Sequence, residues 1–123
     1  MTPDIIVWTH DEVNAHLARS WCDEHALGFQ LGDQRDQFFA PAATAVVFDL
    51  NHLGLSREER QQWIARLCNA LLPYPAAVAS YDFEPEEIAA LSARCWLVFR
   101  HLGAELLREL ARALGRESGD AAA

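Results

Sequence analysis

Thr44-Ala45-Val46-Val47-Phe48-Asp49-Leu50-Asn51 is a short apolar run, rich in β-branched residues, that stops at a carboxylate. Apolar and polar positions do not alternate in it. It therefore reads as a strand covered on both faces, the kind found in the middle of a parallel sheet. His52-Leu53-Gly54-Leu55 follows as a loop, and a helix start follows the loop. Parallel sheets carry their functional loops at the carboxyl ends of the strands, so Asp49 stands where binding or chemistry is expected. An aspartate here also serves simply to end a strand and cap the next turn.

Upstream, Ile5-Ile6-Val7-Trp8 is a second buried strand, and Thr9-His10-Asp11-Glu12 brings acids suited to the first turn of a helix. Val13, Leu17 and Trp21, with Ala18 and Cys22, recur at helical spacing through about His25, and Leu27-Gly28 is the expected stop. Phe29-Gln30-Leu31 has the polar content of a short edge strand. Residues 32–43 read as a loop with at most one helical turn, interrupted by Pro41.

Downstream, Ser56-Arg57-Glu58-Glu59 matches the capping-box pattern, and the helix it opens buries Trp63, Ile64, Leu67, Cys68 and Leu71 before Pro73 closes it. Ala76-Ala77-Val78-Ala79-Ser80 is a fourth strand. Glu84-Pro85-Glu86-Glu87 opens the next helix, with Ile88 and Leu91 on its buried side. Trp96-Leu97-Val98-Phe99 is the fifth strand. Leu102, Leu106, Leu107, Leu110 and Leu114 form the stripe of a last helix that Gly115 ends. Residues 1–114 thus make a single domain, and residues 115–123 a tail without apolar pattern.

Strands alternating with helices at these intervals imply right-handed crossovers and an α/β, doubly wound, five-stranded parallel sheet. The flavodoxin-like strand order 2-1-3-4-5 fits. Its switch point lies between the first and third strands, which brings Thr9-His10-Asp11-Glu12 beside Asp49-Leu50-Asn51-His52.

Composition narrows the function classes. The 123 residues are 51% hydrophobic and 23% charged, with a net charge of −8. This suits a globular domain. An acidic surface without a basic stripe argues against nucleic acid as a partner. No apolar run approaches the roughly 20 residues that cross a bilayer, and Met1-Thr2-Pro3-Asp4 lacks the basic start of a signal peptide, so a cytoplasmic location without membrane contact is expected. Cys22, Cys68 and Cys95 are odd in number and far apart, as reduced structural thiols are. The chain has no phosphate-binding glycine loop and no G-x-S-x-G nucleophile turn. His10, Asp11, Asp49 and His52 are a candidate transition-metal cluster, although without a dedicated ligand spacing. Cys22 and His25 lack a second ligand pair. The four tryptophans fall at packing positions rather than forming a sugar or base platform.

With Asp49 ending the third strand, Leu53-Gly54 beyond it, Ser80 ending the fourth and Arg100 after the fifth, the chain resembles a response-regulator receiver domain (CheY-like) from about Asp4 to Leu114. The resemblance implies a phosphoacceptor aspartate at Asp49, switch residues at Ser80 and Arg100, and a Mg²⁺ pocket around Thr9, His10, Asp11, Glu12 and Asn51. The chain also departs from that family. Thr9-His10 stand where the family has an acid pair, Arg100 where it has a lysine, and Leu53 where it has a turn proline. Phosphorylating a carboxylate concentrates negative charge that a divalent cation and a lysine normally offset. The resemblance is therefore to a degenerate receiver, or pseudo-receiver. It implies a stand-alone signalling module that acts by protein–protein contact, with no catalytic residue and weak or no Mg²⁺ binding. A working two-component phosphoacceptor is the alternative, and an anti-sigma-antagonist-like (STAS) regulatory domain a lesser one. The family's habit of pairing implies a homodimer through the fourth helix (opening at Glu84), the fifth strand and the last helix, with Glu86 and Glu87 meeting Arg108 and Arg112.

Overall fold

The computed structural model describes residues 4–32, 45–69, 76–94 and 96–115. The helical turn expected within 32–43, the placements of Leu71, Pro73 and Cys95, and the tail from 116 onward lie outside them. Five strands, β1 (Ile5–Trp8), β2 (Phe29–Leu31), β3 (Ala45–Asp49), β4 (Ala76–Ala79) and β5 (Trp96–Phe99), alternate with four helices. These helices are α1 (Glu12–Glu24), α2 (Arg57–Asn69), α3 (Pro85–Ala93) and α4 (Ala104–Ala113), and a 3₁₀ turn (Leu50–His52) follows β3. All pairings are parallel and the strand order is β2-β1-β3-β4-β5. This is the flavodoxin-like α/β arrangement.

The uninterrupted apolar runs have the burial they imply. Every residue of β1, β3 and β4 is buried, whereas β2 at the edge is largely exposed. Alternate side chains feed two separate cores, because strand side chains point to opposite faces. On one face Phe48 is stacked on Trp8 at 4.7 Å between ring centroids and meets Trp63 at 5.3 Å and Trp96 at 6.0 Å. The indole N–H of Trp96 donates to the Leu67 carbonyl at 3.0 Å. On the other face Ile5, Val7, Val47 and Ala77 pack with Ala18 and Cys22 of α1 and with Leu106, Leu107 and Leu110 of α4.

Three expectations about faces need correction. On α1, Val13 is 72% exposed and Leu17 is 36% exposed. The side toward the sheet instead runs through Asn14, Ala15, Ala18 and Cys22. The periodicity was right in spacing but rotated, because a polar residue, Asn14, takes an inward position beside Asp49. On α3, Leu91 is buried but Ile88 is 40% exposed, with no covering element among the described residues. At the last helix, which the expected pairing would use, Leu102 just before α4 and Leu106, Leu107 and Leu110 on it all turn to the core and leave no outer leucine stripe. Arg112 also meets Glu109 of its own helix, at 3.3 Å.

The helix ends follow from local chemistry. Ser56 and Glu59 form the expected reciprocal box, Ser56 N to Glu59 Oε1 at 2.9 Å and Glu59 N to Ser56 Oγ at 3.1 Å. Glu87 Oε1 likewise accepts from Glu84 N at 2.8 Å at the start of α3. The end of α1 differs from the expected glycine stop. Ala26, not Gly28, takes the left-handed conformation with φ 56°. Leu27 N then donates to Cys22 O and Ala26 N to Asp23 O, the paired bonds of a Schellman motif.

Candidate functional site

The switch point between β1 and β3 brings together the residues singled out from the sequence. His10 N donates to His52 O at 2.7 Å, joining the two loops directly. Asp49, at the carboxyl end of β3, is fully buried. Its Oδ2 accepts from the Thr9 hydroxyl at 2.8 Å and from the Asn14 side-chain amide at 2.9 Å. Its Oδ1 is buried with no hydrogen-bond partner among the described residues. The Thr9 hydroxyl also accepts from Asp11 N at 3.2 Å, so one side chain ties Asp49 to the turn that begins α1.

The remaining candidates divide. Asp11 caps α1, its Oδ2 accepting from Asn14 N at 2.9 Å. Glu12 and His10 are exposed. Among the described residues no three histidine, cysteine, aspartate or glutamate side chains come together, so His10, Asp11, Asp49 and His52 do not form the candidate metal cluster. Asn51 braces the neighbouring loops. Its Nδ2 donates to Arg100 O at 2.9 Å and its Oδ1 accepts from Tyr81 N at 2.9 Å. Arg100 contributes that backbone carbonyl, and it is not among the partners of Asp49.

Ser80 faces a residue the sequence had not marked. Arg60, on α2, donates to the Ser80 hydroxyl from Nη2 at 2.7 Å and from Nε at 3.1 Å. The same guanidinium lies 3.9 Å from Glu87 Oε2 and 5.4 Å from the Phe83 ring centroid. Asn14 and Arg60 were both missed for one reason. Each is a polar residue inside a helix with no local sign that it faces the sheet, and only the rotation of that helix turns it inward.

Whether this pocket suits the Mg²⁺ that the resemblance implies turns on the donors present. The orphaned Oδ1 of Asp49 offers one oxygen to a cation. The groups beside Oδ2, however, are a hydroxyl and an amide N–H that point hydrogens at it, and Asp11 is occupied as a helix cap. Mg²⁺ prefers an octahedral shell of oxygens and gives up its water reluctantly. One carboxylate flanked by hydrogen-bond donors does not fit that ion.

Comparison with protein-family models, curated proteins and solved structures finds no match to this chain. Among the described residues no helix is long and apolar enough to cross a membrane.

Proposed function

We propose that this chain is a degenerate receiver: a regulatory module that works by protein–protein contact and does not phosphorylate Asp49. The observation that carries this reading is the engagement of Asp49 Oδ2 by the Thr9 hydroxyl and the Asn14 amide. These are neutral donors, standing where phosphoryl chemistry on a carboxylate calls for acids that hold a cation. They hold the carboxylate as a hydrogen-bond acceptor. Arg60 also donates to the Ser80 hydroxyl oxygen, tying the switch-equivalent residue to α2.

Contact through the face formed by α3, β5 and α4 agrees with the exposure of Ile88 and Tyr81, 40% and 54%. The partner we assign to that face is a second copy of the chain. The inward leucines of α4 take no part in it. Sedimentation at tens of micromolar tests this pairing: a dimer mass is expected, and a purely monomeric mass removes it.

The alternative, a working phosphoacceptor, draws on Asp49 Oδ1, which is buried and has no hydrogen-bond partner among the described residues. Calorimetric titration with Mg²⁺, alone and with beryllium fluoride, separates the two. The degenerate reading expects no saturable heat. Saturable binding that disappears in Asp49→Ala establishes the alternative.

A further inference from the structure

An apolar groove of about 350 Å³ lies between α3 and β5, lined by Ser80, Tyr81, Phe83, Ile88, Val98 and Phe99, with Arg100 at its rim. Its wall on the β4–α3 side is not held by α3 or β5 alone. Two side chains reach it from the segment that follows Asp49. Asn51 grips the Tyr81 amide and the Arg100 carbonyl. Arg60 grips the Ser80 hydroxyl, covers Phe83 and pairs with Glu87.

We propose that Arg60 is a latch on this groove: one guanidinium from α2 holds Ser80, Phe83 and Glu87 together, fixing the β4–α3 loop in a single arrangement. The planar fork suits the task, since Nε and Nη2 meet one hydroxyl oxygen while Nη1 faces the carboxylate. The Arg60 and Glu87 side chains are only 17% and 22% exposed, so water competes weakly for these contacts. Ser80, 2% exposed, has little access to a replacement donor from solvent. Glu87 serves twice, closing the first turn of α3 with Oε1 and meeting Arg60 with Oε2. Releasing Arg60 therefore loosens the start of α3 along with the loop. The groove changes shape without any event at Asp49. Only the purpose of the latch, control of a contact face, rests on the proposed function; its geometry does not.

Amide hydrogen exchange on the full chain, read residue by residue by NMR, tests the latch. The variants are Arg60→Lys, which keeps a positive charge but loses the fork, and Arg60→Gln, which removes the charge as well and leaves the Asp82 N–Ser80 Oγ contact in place. The informative amides are Tyr81, bonded to Asn51 rather than to Ser80, and Ile88, bonded to Glu84 O. Both lie one step beyond the deleted contacts. Both variants are expected to speed exchange at Tyr81 and Ile88 about tenfold, the scale of one lost charge-assisted hydrogen bond, with Val47 in the central strand unchanged. Unchanged exchange at Tyr81 and Ile88 overturns the latch. So does an equal rise at Val47, which would make Arg60 a contributor to global stability only. Neither result depends on whether Asp49 accepts a phosphoryl group, so the latch and the functional reading can fail separately.

Discussion

The Asn14 side chain on α1 donates to Asp49 Oδ2 at 2.9 Å across 35 residues of sequence, and Thr9 donates to the same oxygen at 2.8 Å. Two neutral donors on one carboxylate oxygen, with no partner for the other among the described residues, define the pocket. Removing either donor from a buried acceptor forfeits a hydrogen bond to a group that cannot reach water. Asn14→Ala and Thr9→Val should each cost about 1–3 kcal/mol. Because the two share one oxygen, the double variant should cost less or more than the sum, not the sum itself. Urea denaturation of the four proteins checks this. Strict additivity would mean the two contacts do not act on Asp49 together.

Restoring an acid should restore a cation site. Thr9→Asp sets a second carboxylate beside Asp49, so without metal it should destabilise the fold by like-charge repulsion in a buried place. Millimolar Mg²⁺ should then raise its melting temperature, as a ligand that binds only the native state does, while leaving the unaltered protein unchanged. A melting temperature insensitive to Mg²⁺ in both would show that the pocket lacks the shape for the ion, not only the charge.

How much of this was legible in the sequence depends on the residue. The five strands, their order, the capping box at Ser56 and the helix start at Glu84 could all be read, because buried parallel strands and helix starts have strong local signatures. Asp49 and Thr9 came with the strand ends. The sequence did not disclose the rotation of α1, since Val13 and Leu17 mimic a buried stripe while Asn14 holds the inward place. Nor did Arg60 stand out among Arg57, Glu58, Glu59 and Gln61. Its role depends on where β4 ends, a long-range fact that no local pattern encodes.

Ala26 offers a stabilising change. It occupies the left-handed position with φ 56°, where a side chain costs roughly 1–2 kcal/mol. Ala26→Gly relieves that strain but gives the unfolded chain more freedom, so the net gain should be about 0.5–1 kcal/mol. A rightward shift of the urea midpoint with an unchanged slope would confirm it.

Gly32 should show the opposite. A Cβ there would sit 2.2 Å from the Trp8 ring, and that ring cannot retreat because it is stacked on Phe48. Gly32→Ala should cost about 1–3 kcal/mol, as overpacking does. Thermal denaturation with near-ultraviolet dichroism of the tryptophans is the measurement. An unchanged melting temperature would count against the packing described for Trp8.

The Cys22 thiol gives the fold an alkaline limit. Burial, then the negative charges of Asp23 and Asp4, push its pKa up from 9.0 to about 12. The raised value means the native state holds the proton longer than the unfolded chain. The stability that depends on it is complete below pH 9, and falls as pH climbs from there toward 12, by at most about 1.4 kcal/mol per unit. Cys22→Ala removes this dependence, so its loss of stability from about pH 8 to about pH 10.5 should be smaller than that of the unaltered protein. Equal losses would assign the alkaline sensitivity to other groups.

In the proposed degenerate receiver Asp49 is held as a hydrogen-bond acceptor and takes no phosphoryl group. Intact-mass spectrometry after incubation with acetyl phosphate and Mg²⁺ tests it most directly, with Asp49→Asn in parallel. One unmodified species is expected for both proteins. A mass increase of one phosphoryl group in the unaltered chain, absent from Asp49→Asn, would contradict it and make the protein a working receiver.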